Sequence, residues 1–268
     1  MENMTLKEVF EDRDDKPFVL IKPGGNQGDS MIYAGARKLA DKTGLEYREI
    51  GMGRKAKNPR IAKNEIMYLN GGGGFNTWWN WTPRLLHQLA KQYPDNLIIV
   101  GPSTVALQEW YLKKWLPKDR NIIFFARELT TYKYLKENFY PGAQIDHDTA
   151  MHLRPGDGYL EKVIGKHKPA LLWNVCLRRE DPESTNEIPD QIKKLIDEKY
   201  FLYTVDPCQS AIWPQLHVKA NNLYTNRSHS AILGSLLDKP TYMFAGAYHK
   251  NRSIWEYSLK DRGVKWIE

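Results

Sequence analysis

The stretch Tyr224–Pro240 places an arginine and a histidine two positions apart, at Arg227 and His229. The apolar residues just before them are typical of a strand end, and those just after them are typical of a buried helix. A fixed cation and a titratable ring at the start of a helix can hold an anion and protonate it. The same pattern also fits a capped helix with an exposed arginine and a packed histidine. The stretch therefore predicts a strand–helix turn that is a candidate anion site.

Composition limits the classes of protein to which the chain can belong. Its 268 residues suit one large or two medium domains, and 41% hydrophobic with 26% charged residues is typical of a soluble globular protein. No stretch approaches the roughly 20 apolar residues of a membrane span, and the N-terminus lacks the apolar centre of a signal peptide. The net charge of +7 is scattered without a continuous basic helix, so we expect no nucleic-acid partner. Cys176 and Cys208 form neither a disulfide framework nor a metal pattern, and we expect a cytoplasmic location.

The first part of the chain contains a strand, a glycine-rich turn and a helix. The apolar run Phe18–Ile21 predicts a buried strand, after a loose lead-in over residues 1–16. The turn that follows opens a helical pattern to about Lys42, with Asp29 or Ser30 as the expected N-cap. This layout brings backbone N–H groups close to a phosphate or another anion.

A second strand, Ile66–Leu69, is followed by Asn70 and four consecutive glycines. Glycine runs cost backbone entropy, so they indicate a need for close backbone approach or positive φ, although a flexible loop is the alternative. Three tryptophans come next, before a helix that starts near Pro83. They can line a pocket, or they can pack as the hydrophobic staple of that helix. These tryptophans are Trp78, Trp79 and Trp81.

Short apolar strands continue to alternate with amphipathic helices, which predicts an α/β fold with parallel sheets. A polar segment near residues 150–168 separates two such units, predicting an N-terminal domain over 1–152, a C-terminal domain over 153–268 and a cleft between them. Ligands of parallel sheets bind beyond the carboxyl ends of the strands. The further predicted strands are Leu97–Val100, Ile122–Phe125, Ala170–Leu177, Phe201–Val205 and Thr241–Phe244.

Six segments, in this order, resemble the motifs of the polysaccharide pyruvyl transferase family. They look like its Asn-x-Gly-Asp turn, its poly-glycine loop, its Arg-Asp/Glu-x-x-Ser/Thr-x-x-x-Leu segment, its Asp-x-Ala turn, its Thr-x-Arg-Leu-His segment and its closing Tyr-Gly-Lys segment. Ser228 stands where the family usually has Leu, and His249 stands where it often has Gly. The six segments are Gly25–Asp29, Asn70–Gly74, Arg127–Leu135, Asp148–Ala150, Thr225–His229 with Lys239–Pro240, and Tyr248–Lys250.

The resemblance implies two Rossmann-like domains in a glycosyltransferase-B-like arrangement, with parallel sheets facing a central cleft. It also implies transfer of a pyruvyl group from phosphoenolpyruvate to sugar hydroxyls, which forms a ketal. The expected partners are phosphoenolpyruvate, a saccharide acceptor and, peripherally, a glycan-assembly machinery. We expect no metal and no cofactor, with phosphoenolpyruvate as a co-substrate. A nucleotide-sugar glycosyltransferase of the same fold and a non-catalytic glycan-binding relative are the alternatives.

The chemistry of ketal formation assigns roles to individual residues. His229 is the expected general acid, because a histidine at a helix start beside a bound anion can remain protonated. Arg227 offers a planar fork to the carboxylate or phosphate of the donor. Asp29 or Asp148 can accept a proton from a sugar hydroxyl, or simply cap a turn. The expected donor-binding residues are Arg127, Arg178, Lys250, Asn26, Gly71, Gly72, Gly73 and Gly74, and the expected acceptor-binding residues are Trp78, Trp79 and Asp148.

Overall fold

The computed structural model describes residues 3–13, 15–51, 60–118, 120–165, 171–176, 188–197 and 212–268. The chain groups into two compact units, which we call the first and the second unit. The first unit contains Met1–Gly25 and Ile32–His152, and the second contains Asn26–Met31 and Leu153–Glu268. Phe201–Val205, a predicted strand, lies outside the described residues. The domain limits 1–152 and 153–268 stay a prediction.

The first unit is built on a parallel sheet of seven strands. Its strand order is β2-β1-β3-β5-β6-β7, and β4 pairs with β5 outside this path. The strands are β1 (Phe18–Lys22), β2 (Tyr47–Gly51), β3 (Ile66–Leu69), β4 (Gly72–Phe75), β5 (Ile98–Val105), β6 (Ile122–Ala126) and β7 (Gln144–Ile145).

Apolar cores cover the two faces of this sheet, which explains why its strands are continuous apolar runs rather than alternating ones. Val19 and Ile21 of β1 belong to one core cluster, whereas Phe18 and Leu20 belong to another. The helices of the first unit are α1 (Leu6–Glu11), α3 (Trp81–Gln92), α4 (Glu109–Trp115) and α5 (Leu129–Asn138), with a 3-10 turn at Thr149–His152. The helix α2 (Gln27–Lys42) belongs to the first unit from Ile32 onward, whereas its residues up to Met31 group with the second unit.

The second unit contains a parallel sheet in the order β11-β10-β9-β8. Its strands are β8 (Leu171–Cys176), β9 (Ala220–Thr225), β10 (Thr241–Met243) and β11 (Val264–Trp266). Its helices are α6 (Gly158–Ile164), α7 (Asp190–Asp197), α8 (Trp213–Lys219), α9 (Ser228–Leu236) and α10 (Lys250–Ile254), followed by a π-helical turn at Trp255–Leu259.

The α/β class with parallel sheets is confirmed, and the prediction of a loose lead-in is wrong. The lead-in over residues 1–16 contains α1, because Thr5 and Glu8 form a reciprocal capping box and Leu6, Val9 and Phe10 are buried. The alternative of a flexible glycine loop does not hold for Gly72–Gly74, since β4 covers Gly72–Phe75 and pairs with β5. No helix within the described ranges is long and apolar enough to cross a lipid bilayer.

The buried histidine of α8, His217, makes stability sensitive to acid. Its Nδ1 lies 2.7 Å from the carbonyl oxygen of Trp213 and donates to it. Burial, with a smaller contribution from Lys239, lowers the pKa of His217 from 6.5 to about 4. In the unfolded chain the pKa returns to its ordinary value, so between these two pKa values the unfolded chain binds more protons than the folded protein.

We expect the variant His217→Asn to lose less stability than the wild type when the pH falls from 7.5 to 4.5. The stability that neutral His217 contributes is complete above pH 6.5 and is lost as the pH falls toward 4. The difference in free energy of unfolding between the two proteins should change by on the order of 2–3 kcal/mol over this range. Urea unfolding of both proteins at the two pH values measures it. Equal acid sensitivity of the two proteins would contradict the assignment.

Candidate functional site

The turn between β9 and α9 holds Arg227 and His229 where the sequence predicts them. β9 ends at Thr225, and α9 begins at Ser228 with Arg227 as its N-cap residue. The backbone N–H of Arg227 donates to Oγ1 of Thr225 at 2.9 Å, which fixes the turn. The helix α9, which follows the turn, packs into the interior through the buried residues Ala231, Ile232 and Leu233. The turn therefore lies at the carboxyl end of a parallel strand, where ligands of such sheets bind.

The segment Asn26–Asp29 closes the N-terminus of α2 by reciprocal capping. Oδ1 of Asn26 accepts from the backbone N–H of Gly28 at 2.8 Å and of Asp29 at 3.4 Å. Oδ2 of Asp29 accepts in return from the backbone N–H of Asn26 at 2.8 Å. Asn26 is therefore the N-cap, and the prediction of Asp29 or Ser30 for this position is wrong. The second carboxylate oxygen of Asp29 accepts no hydrogen bond from the described part of the chain.

His229 lies directly against Gly28, within the second unit. A Cβ atom added at Gly28 would lie 2.2 Å from Nδ1 of His229 and 2.7 Å from its Cγ. Only a residue without a side chain leaves this space to the imidazole. Two motifs that are far apart in the sequence thus meet at the N-terminus of α2. The imidazole therefore stands beside the capped first turn of α2, which also carries the carboxylate of Asp29.

A second candidate cation of this unit, Lys250, begins α10. Its Nζ lies 5.2 Å from the centre of the Tyr248 ring, within the range of a cation–π interaction. Arg227 and Lys250 are both 8% exposed.

In the first unit, Arg127 and Asp148 form a buried ion pair. Nη1 of Arg127 donates to Oδ2 of Asp148 at 2.6 Å, and Nε donates to Oγ1 of Thr104 at 2.8 Å. The other oxygen of Asp148 accepts from the backbone N–H of Ala150 at 2.9 Å. Both charged side chains are 2% exposed. The pair therefore joins the carboxyl ends of β5 and β6 to the Asp-x-Ala turn, and their predicted contacts with donor and acceptor stay predictions.

The residues beside Arg127 cap α5. Both carboxylate oxygens of Glu128 accept from the backbone N–H of Thr131, at 3.1 and 3.0 Å. Oγ1 of Thr131 accepts in turn from the backbone N–H of Val105 at 3.0 Å. This predicted motif thus fixes the position of α5 against the end of β5, a local function that its residue spacing alone did not indicate.

Two of the four glycines, Gly71 and Gly74, approach neighbouring groups closely, as predicted. A Cβ at Gly71 would lie 2.1 Å from the carbonyl oxygen of Pro102, and one at Gly74 would lie 2.5 Å from Oγ1 of Thr82. Gly72 has φ of 140°, which favours glycine. The close packing against β5 thus explains part of the glycine run. Donor binding by Gly71, Gly72, Gly73 and Gly74 stays a prediction.

The remaining predicted residues are spread over the chain. Trp79 is 41% exposed, and its backbone N–H donates to Oδ1 of Asn76 at 2.7 Å. Trp78 is half-buried, whereas Trp81 packs against the core of the first unit. Arg178 lies outside the described residues. Across the described ranges, no three His, Cys, Asp or Glu side chains cluster as metal ligands would.

The two units have the parallel α/β fold, and Arg227 and His229 lie at the carboxyl end of one of its strands, β9. A family model described as Polysaccharide pyruvyl transferase matches residues 26–204. The chain therefore belongs to the polysaccharide pyruvyl transferase family. The matched range includes the Asn26–Asp29 turn and ends before the turn that carries Arg227 and His229.

Among solved structures, an uncharacterised protein of Klebsiella pneumoniae is similar over 100% of both chains, with 22% identity and a TM-score of 0.71. This likeness supports the fold alone. A candidate UDP-N-acetylglucosamine 2-epimerase of Listeria monocytogenes has 12% identity over 85% of this chain and 78% of its own, with a TM-score of 0.46. A variant of the wall teichoic acid polymerase TagF has 12% identity over 96% of this chain and 77% of its own, with a TM-score of 0.41. A search of the curated proteins found no match.

We expect Asp148→Asn to destabilise the protein strongly, because it leaves the Arg127 charge buried without its partner. Loss of one member of a buried pair costs about 3–5 kcal/mol of unfolding free energy. The double variant Arg127→Met with Asp148→Asn should lose less than the sum of the two single variants. Urea unfolding measures all three differences.

The exposed helical pair Lys7–Glu11 supplies the control for this experiment. Glu11→Gln should cost no more than about 0.5 kcal/mol, because exposed pairs contribute little. A buried pair that cost no more than this exposed one would contradict the structural role given to Arg127 and Asp148.

Proposed function

We propose that the protein transfers the pyruvyl group of phosphoenolpyruvate to two hydroxyls of a sugar, forming a ketal and releasing phosphate. Family membership supports the reaction class. The observation that carries the proposal is the contact of His229 with Gly28, which sets an imidazole ring beside the N-terminus of α2. An acid beside an anion position is what protonation of an anionic enol ester requires.

The reaction balances with one acid and one base. His229 gives a proton to C3 of phosphoenolpyruvate, which becomes a methyl group, and positive charge develops at C2. The two sugar oxygens each bond to C2, and the bond between C2 and the phosphate oxygen breaks. Of the two hydroxyl protons released, one replaces the proton lost by His229 and the other leaves on the phosphate. Asp29 is our candidate to accept the second hydroxyl proton and pass it to the departing phosphate, because its Oδ2 caps α2 while its other oxygen accepts no hydrogen bond from the described residues.

The donor carries a carboxylate and a phosphate, so it requires more than one cation. We assign Arg227 to one of these groups, because its guanidinium forms paired hydrogen bonds with either. Lys250 is the second candidate in the same unit, and Asn26 helps by shaping the helix start that faces the anion. Arg178 and the amides of Gly71–Gly74 are additional candidates.

For Arg127 and Asp148 we propose positioning rather than direct contact with substrate. Their side chains satisfy each other in the interior of the first unit. Trp78 and Trp79 remain our candidates for the acceptor, since an exposed indole can stack on a sugar face. We also propose the glycosyltransferase-B-like arrangement of two Rossmann-like domains around a cleft. The steps proposed for pyruvyl transfer do not depend on this arrangement.

We expect phosphoenolpyruvate to raise the melting temperature of the wild-type protein, because a ligand that binds only the folded state stabilises it. Arg227→Ala should abolish most of this shift. His229→Gln should keep the shift and lower turnover by about 10²- to 10⁴-fold, as expected for loss of a general acid. Thermal unfolding with and without phosphoenolpyruvate, combined with phosphate release, separates the two roles. A shift produced by UDP or GDP and not by phosphoenolpyruvate would instead favour a glycosyltransferase.

We expect Gly28→Ala to lower turnover by up to about 10²-fold, the cost of displacing a catalytic group by about 1 Å. The new methyl group would overlap the imidazole of His229 and force it to move. Gly158→Ala is the matched control, because no atom lies within 4 Å of a Cβ added there. Steady-state phosphate release compares the two variants. If the two variants were equally active, the contact between Gly28 and His229 would not be needed for the reaction.

A further inference from the structure

The side chain of Asn251 is buried, and each polar atom of its amide makes a hydrogen bond. It is 1% exposed and stands second in α10. Its Nδ2 donates to the carbonyl oxygen of Asn226 at 2.6 Å and to that of Phe244 at 3.1 Å. Its Oδ1 accepts from the hydroxyl of Ser228 at 3.0 Å. A buried amide with both donor and acceptor satisfied is costly to replace.

These contacts enclose the turn that carries the candidate donor site. Asn226 and Ser228 are the neighbours of Arg227 on either side, and His229 follows directly. The backbone N–H of Phe244 donates to the carbonyl oxygen of Thr225 at 3.1 Å, so the same contacts fix the turn against the end of β10. One side chain therefore joins the end of β9, the end of β10 and the first turn of α10.

The same residue also fixes the position of Lys250, which precedes it in the first turn of α10. Consecutive helical residues move together, because their backbones share one hydrogen-bonded turn. The three groups proposed to act on the donor thus share one support. A change at residue 251 displaces both the turn and the helix start.

We propose that Asn251 is the positioning residue of the donor site, and that Ser228 is its partner. This inference rests on the proposed function. Asn251 holds Arg227, His229 and Lys250 at fixed separations without contact with the donor. An Asp at this position would offer carboxylate oxygens to two carbonyl oxygens, whereas the amide donates to them. The requirement is therefore for an amide.

The hydrogen bond from Ser228 to Asn251 gives a structural reason for one departure from the family pattern. Ser228 stands where the resemblance expects Leu, and a leucine has no hydroxyl to donate to Asn251. In this chain the polar contact provides part of the support for the turn. We therefore expect the hydroxyl of residue 228 to affect catalysis in this chain in particular.

The test compares kcat/KM for phosphoenolpyruvate in four variants at a temperature where all are folded. We expect Asn251→Ala to lose about 10–100-fold, since displacement of aligned groups by about 1 Å costs this much. Ser228→Ala should lose about 3–10-fold, the equivalent of about one hydrogen bond. Ser228→Thr keeps the hydroxyl and should restore the activity.

Ser235→Ala is the matched control. Its hydroxyl donates to the carbonyl oxygen of Arg262 at 3.0 Å, so the variant loses one hydrogen bond from the same helix, α9, away from the turn. If the hydroxyl of Ser228 contributed only to the stability of the fold, Ser228→Ala and Ser235→Ala would be equally active. That result, or a kcat/KM of Asn251→Ala within about twofold of the wild type, would overturn the proposal.

Amide hydrogen exchange tests the support of the turn independently of the proposed reaction. Without any substrate, exchange over residues 223–232 should be faster in Asn251→Ala than in the wild type, because the turn loses its support. Unchanged exchange there would overturn the positioning proposal. A wild-type protein that releases no phosphate from phosphoenolpyruvate, yet shows the faster exchange in Asn251→Ala, would overturn the proposed function and leave the support of the turn demonstrated.

Discussion

The candidate site depends on one steric constraint, the absence of a side chain at Gly28. The imidazole of His229 occupies the space where any other residue would place its Cβ. This contact brings the N-terminus of α2 to the turn between β9 and α9, and it explains why Asn26–Met31 group with the second unit. The capped first turn of α2 and the imidazole of His229 are therefore neighbours within the second unit.

Hydrogen bonds that satisfy buried polar groups support this contact. Asn26 and Asp29 cap each other, so the helix start has a defined shape. Asn251 supports the opposite side, where the turn meets α10. In the first unit, Arg127 and Asp148 satisfy each other at the ends of the strands. These residues look like ligand contacts in a sequence, because charge and polarity mark both functional and supporting positions.

The sequence was most informative where an apolar run determines an element. Phe18–Ile21 and Ile66–Leu69 are strands because they are buried on both faces, and burial is visible in composition. β4 escaped prediction because glycines lack the side chains that mark a strand, and its pairing depends on the approach of β5. α1 escaped although Thr5 and Glu8 stand at capping-box spacing, because its charged composition resembles a loop. The meeting of Gly28 with His229 is tertiary, and no local pattern indicates it.

The most direct test of the central claim is the reaction in D₂O with phosphoenolpyruvate and a galactoside or mannoside acceptor. If His229 protonates C3, each phosphate released accompanies one ketal whose new methyl group carries a single solvent deuterium. Mass spectrometry of the product measures this deuterium directly. A product that retains the unprotonated methylene group, or consumption of a nucleotide sugar in place of phosphoenolpyruvate, would contradict the account.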